Sequence, residues 1–224
     1  MGKIYSGISG NLHISDPEIF VDNQAGKRSG HMSHAMLEYA PGEIIAFNSN
    51  CSALRYSGHS AFGWIEYRYS GDYGRTWGKS FDLQCTIDEL LDGCWTNSVE
   101  KAVCCNGVIT VFLLRNSQST GLCCMPWGHP MYIQSYDCGK TWTAPCEFSP
   151  YDGRIYDAAV HDDTIYVLQF CNPDHVGRTA ENVYRLYSSS DNGKSFKESG
   201  RRGRKSTLCT GFWNSSDTQQ ANSQ

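Results

Sequence analysis

Glu100 and Asp157 stand at the openings of two strand-like runs, Val99 to Phe112 and Ile155 to Leu168. Two carboxyl groups facing each other can share the acid and base work of breaking a glycosidic bond, although a neighbouring cation such as Lys101 can equally neutralise either one. Arg115 with Asn116 offers donors suited to a carboxylate or to sugar hydroxyls, with a solvated loop arginine as the alternative. Trp95 and Trp127 supply indole faces on which a sugar ring can stack. His31 and His34 are three residues apart and suit either a metal pair or a hydrogen-bonded structural role. No metal or cofactor is called for. The 11 cysteines are odd in number, include the doublets Cys104-Cys105 and Cys123-Cys124, and form no Cys-x-x-Cys, which favours free thiols over a disulfide framework or a zinc site.

Such residues need a scaffold, and composition indicates which kind. The 224 residues are 40% hydrophobic and 19% charged, and the 22 Gly, 13 Tyr, 9 Phe and 6 Trp suit a turn-rich all-β chain. A formal charge of −4 provides no positive field to gather phosphates, so no nucleic-acid partner is expected. The start, Met1 to Gly7, lacks the apolar core of a signal peptide, and no run reaches the roughly 18 apolar residues of a membrane helix. As given, the chain is expected to be cytoplasmic with no membrane partner; export of a longer parent stays open.

An internal repeat points to the architecture. Ser70-Gly71-Asp72-Tyr73-Gly74-Arg75-Thr76-Trp77 returns as Ser135-Tyr136-Asp137-Cys138-Gly139-Lys140-Thr141-Trp142 and again as Ser189-Ser190-Asp191-Asn192-Gly193-Lys194-Ser195-Phe196. The Asp can accept backbone amides, the Gly can take the turn's positive φ, and the aromatic can anchor the turn in the core. Alternating segments 63–69, 130–134 and 183–187 precede the turns as strands. Further upstream lie apolar hairpins around Pro41-Gly42, Asn106-Gly107 and Asp162-Asp163. Sixty-five positions separate Gly42 from Gly107 and also Ser70 from Ser135, so hairpin and turn move together as one four-stranded unit. Three such units predict propeller blades.

The octapeptide is similar to the Asp-box, or bacterial neuraminidase repeat, and hairpin plus box over residues 30 to 198 resembles the sialidase family. That resemblance implies a six-bladed β-propeller, of which about three blades are present, and a sialidase-type glycosidase acting on a glycan or sialoside at the ring centre without cofactor. Asp72, Gly74, Trp77, Asp137, Gly139, Trp142, Asp191, Gly193 and Phe196 are then structural. An arginine expected at the opening of the first inner strand falls on Met32, with Arg28 four residues away as the candidate substitute. The acid/base aspartate of the family is expected between 48 and 62, which contains no Asp or Glu but does hold Arg55 and His59. Inner-strand starts in a propeller would bring His31, His34, Asn97, Glu100, Arg154, Tyr156 and Asp157 to the centre. Arg28, Glu100 and Asp157 are the catalytic candidates, and His31, His34, Asn97, Arg115 and Tyr156 those for substrate binding.

Whether the chain is an enzyme stays open. A non-catalytic module binding carbohydrate or protein is the second reading, and a fragment that self-associates to complete its ring is the third. Residues 3 to 22 are expected to provide a ring-closing strand. From 199 to 224 a basic then polar tail follows, expected to be disordered and to mark a truncation or frameshift.

Overall fold

The computed structural model describes residues 3–7, 10–14, 16–17, 19–21, 28–52, 63–93, 95–117, 128–171 and 183–203. These form three four-stranded antiparallel sheets, each a meander in chain order. The first holds β3 (Arg28–Ala40), β4 (Glu43–Ser52), β5 (Gly63–Ser70) and β6 (Phe81–Asp82). Helix α1 (Gln84–Leu91) leads to the second, β7 (Trp95–Cys105), β8 (Val108–Ser117), β9 (His129–Ser135) and β10 (Cys146–Glu147). The third holds β11 (Arg154–His161), β12 (Thr164–Cys171), β13 (Val183–Ser189) and β14 (Lys197–Gly203).

The sheets stack face to face in chain order because the middle one is apolar on both sides. Along β8, Ile109, Val111 and Leu113 bury against Ile45, Phe47 and Ile65 of the first sheet. Phe112 points the other way, into a cluster with Ile155, Ile165 and Val167 of the third. Alternate side chains of a strand leave opposite faces, so a strand covered on both sides reads as the continuous run Val108 to Leu114. The expected hairpins turn at 41–42, 106–107 and 162–163, where Gly42, Asn106, Gly107, Asp162 and Asp163 have positive φ.

Each acidic octapeptide connects the third and fourth strands of its sheet and closes the same hydrogen-bond cage. Asp72 Oδ1 accepts from Thr76 N at 2.8 Å and Oδ2 from Thr76 Oγ1 at 2.6 Å, while Ser70 Oγ donates to Oδ1 and accepts from Gly74 N, both at 2.8 Å. Asp137 with Thr141 and Ser135, and Asp191 with Ser195 and Ser189, repeat it. The donated bonds, those from the Thr76, Thr141 and Ser195 hydroxyls foremost, hold all three carboxyls down to about 2.

The box aromatics pack backward along the stack. Trp142 lies against Phe47 and Tyr67 of the first sheet, each 5.8 Å between ring centres. Phe196 meets Phe112 and Tyr132 of the second at 5.7 and 5.3 Å. Trp77, in the first of the three four-stranded sheets, packs edge-on against Phe20 at 4.9 Å.

Three features depart from expectation. Of residues 3 to 22, the described ones give β1 (Lys3–Gly7) and β2 (Gly10–Ile14), which pair with each other rather than with a blade, since only two residues separate them and local closure costs least entropy; residues 8, 9, 15, 18 and 22 of the expected ring-closing segment lie outside the described residues. The third sheet continues to Gly203, past residue 198, because β14 pairs with β13 from Ser188↔Lys197 to Val183↔Gly203. One α-helix, α1, stands among the strands of the described residues, which are otherwise almost all β.

Candidate functional site at the open strand ends

Up-and-down connection gives the stack two unlike ends. The box end carries both turn types, tied by Tyr73 N donating to Gly42 O at 3.0 Å. At the opposite end lie the first residues of the inner strands β3, β7 and β11 and the last residues of β4, β8 and β12. Every inner strand is irregular close to its start, with register shifts at Gly30/His34, Val99/Lys101 and Ile155/Asp157. Such bulges re-aim side chains, and the residues inside the second and third are Glu100 and Tyr156.

Glu100 turns toward the third sheet, where Arg154 grips it twice, Nη2 to Oε1 at 2.8 Å and Nε to Oε2 at 3.2 Å. The forked pairing matches a planar guanidinium to a carboxylate. Burial pushes the Glu100 carboxyl above its ordinary value while the two bonds from Arg154 pull it back. Asp157 is exposed and lies 3.7 Å from Lys101 Nζ. Both candidate carboxylates therefore face cations rather than each other, and Asp157 Oδ1 also accepts the Ala158 amide.

A second cluster occupies the open end of the second sheet. Asn97, Arg115 and His129 are level with one another across β7, β8 and β9. Glu89 of α1 accepts from Asn97 Nδ2 at 2.7 Å and forms a two-bond ion pair with the Arg115 guanidinium. Arg115 also lies over the Trp95 ring, 5.6 Å from its centre. The Trp95 ring meets His129 edge-on at 5.9 Å, and His129 Nδ1 donates to Asp152 Oδ1 at 2.6 Å. Among the described residues, Asn97 Oδ1 on this face, and Ser98 Oγ and Asn116 Nδ2 on the opposite face of the sheet, are buried without a hydrogen-bond partner. Cys85 of α1, its thiol pushed up to about 11 mainly by burial, is a poor nucleophile there.

Sequence reasoning named Asn97, Glu100, Arg115, Arg154 and Trp95, all of which meet at this end. It did not bring in Glu89, His129 or Asp152. The spacing of Leu83, Ile87 and Leu90 was the available helical signal for α1 and hence for Glu89. Tyr156 goes elsewhere, stacking on Phe170 at 5.1 Å on the side of the third sheet away from the second. His34 is exposed on β3. Arg28 and His31 belong to the β3 backbone, but their side chains lie outside the described residues, as do Arg55, His59 and Trp127. Among the described residues no three metal-ligating side chains gather, and no helix is long and apolar enough to cross a membrane.

No family model and no curated protein matches the sequence. Solved structures do resemble the fold. Trypanosoma rangeli sialidase in complex with sialic acid superposes with a TM-score of 0.58 at 14% identity, over 86% of this chain and 31% of that one. The fold is sialidase-like. A Hadza microbial sialidase gives 0.52 at 15% identity over 74% and 32%, and a protein of unknown function from Dyadobacter fermentans 0.54 at 13% over 74% and 52%. This chain thus spans about a third of the length of those sialidases.

Proposed function

We propose that the open end of this sialidase-like stack binds a glycan, with the second sheet as the principal contact. The observation that carries the reading is the buried Asn97 Oδ1, which has no hydrogen-bond partner among the described residues, on the face of the second sheet that also bears Arg115 and the Trp95 indole. Buried polar groups left unsatisfied are costly, and sugar hydroxyls pair with such groups while the sugar's apolar face stacks on an aromatic. The ion-paired Arg115 is held as a donor for an acidic sugar. Binding without turnover fits the same residues, because Glu100 is committed to Arg154 and Asp157 stands beside Lys101.

Hydrolysis of a sialoside is the second reading, favoured by the likeness to a sialidase that holds sialic acid. A glycan array and a fluorogenic sialoside assay on one preparation separate the two. Retained glycans that are lost in Trp95→Ala and Asn97→Ala, with no fluorescence released, support binding. Release of fluorophore that disappears in Arg28→Ala replaces that reading with hydrolysis.

A further inference from the structure

Among the described residues, the third sheet has one side covered by the second sheet and one bare side. Ile165, Val167 and Tyr187 are buried against the second sheet. Their alternates on β12 and β13 face away: Tyr166 is 38% exposed and Leu186 37%, with Tyr156, at 45%, joining them through its bulge. Phe170 links Tyr156 to Tyr184, with ring centres 5.1 and 4.9 Å apart, so the bare side carries a contiguous aromatic surface. Exposed apolar patches of this kind mark interaction sites. The buried junction between the second and third sheets is built the same way, from Phe112, Phe148 and Phe196.

The outer side of the first sheet is already covered along β4 and β5, with Met36 of β3 left exposed. Ala46 and Glu66 are each 2% exposed, and Arg68 Nη1 donates to the Phe20 carbonyl at 2.8 Å while Phe20 packs on Trp77. Stacking the third sheet of one copy on the first sheet of another would have to displace that cover. We propose instead that a second copy of this chain docks on the bare side through the same surface, as a two-fold pair of third sheets.

Charge complementarity selects the orientation. Asp157, 71% exposed on the inner strand and so open to a second cation beside Lys101 of its own copy, is level with Leu168 and Leu186, and Arg202, exposed on the outer strand, is level with Tyr184. A two-fold axis along the strands lays β11 of each copy over β14 of the other, bringing Asp157 toward the opposing Arg202. An axis across the strands would set inner strand on inner strand, with Asp157 near its own counterpart.

Sedimentation equilibrium of the 224-residue chain tests the pair, with circular dichroism confirming the fold of each variant. A dimer is expected below about 100 µM. Leu186→Glu should weaken it at least about 100-fold with an unchanged spectrum, while Met36→Glu, on the exposed inner strand of the first sheet, leaves it intact. Asp157→Arg and Arg202→Asp should each weaken it about three- to tenfold, with the combined reversal restoring it. A chain that stays monomeric, a dimer indifferent to Leu186→Glu, or one lost in Met36→Glu overturns the proposal.

Discussion

The box carboxylates lie at the surface, Asp191 exposed and Asp72 and Asp137 half-buried, and each accepts several bonds from its own turn, so their protonation is tied to folding. Folded, they titrate near 2; free of those bonds the reference value is 3.8. A depressed folded value means that the stabilisation is present above about 4 and is lost as pH falls from there through about 2. Carbon-detected NMR titration of Asp72, Asp137 and Asp191 should find all three low together, and Asp137→Asn should flatten part of the acid dependence of the melting temperature. Midpoints near 3.8 would show that the cages do not persist in solution. Glu100 carries the opposite sign, since burial raises it. Removing its partner in Arg154→Met strands a buried charge and should cost about 3–5 kcal/mol near neutral pH. Part of that loss should return on acidification as Glu100 takes up a proton, and Glu100→Gln in the same background should abolish the recovery in pH-dependent urea melts.

At the level of elements, the turn and its landing surface form one unit. Gly139 has a φ of +83°, and a Cβ there would stand 2.7 Å from the Tyr69 hydroxyl and 3.0 Å from Ile45 Cδ1, both in the preceding sheet. Gly107 shares the backbone constraint, with a φ of +76°, but has open space around it. Each Gly→Ala change should pay about 1–2 kcal/mol for the left-handed backbone, and Gly139→Ala should lose more than Gly107→Ala in denaturant melts. Equal losses would mean that the box does not press on its neighbour. This explains why the boxes were legible in sequence: conformation and packing both fall on residues at fixed short spacing, repeated three times with their hairpins. The bulge that aims Glu100 at Arg154 had no such signal, because the two residues are 54 positions apart and meet only when sheets stack. Helix α1 was missed because it is eight residues long and belongs to no repeat, and Glu89 went with it.

For the whole molecule, order in the stack sets order in stability. Among the described residues, the second sheet is the one packed between two other four-stranded sheets, with Ile109, Val111, Phe112 and Leu113 all at 0% exposure. In a one-dimensional array each unit is held by its own strands and by contact with its neighbours, so an end sheet can open while the middle one persists. Amide exchange should therefore be slowest along β7, β8 and β9 and faster in β11, β12 and β13. Phe112→Ala removes a side chain buried between Phe148 and Phe196 and should cost about 3–5 kcal/mol. Leu186→Ala on the bare side should stay within about 0.5 kcal/mol of the parent under conditions where the chain is monomeric. Exchange also reports on docking: if two copies cover the third sheets, protection of β12 and β13 must rise with protein concentration while that of β8 changes little. Uniform protection across the three sheets at low concentration would mean that they unfold as one body, and the neighbour-by-neighbour account of the stack would fail.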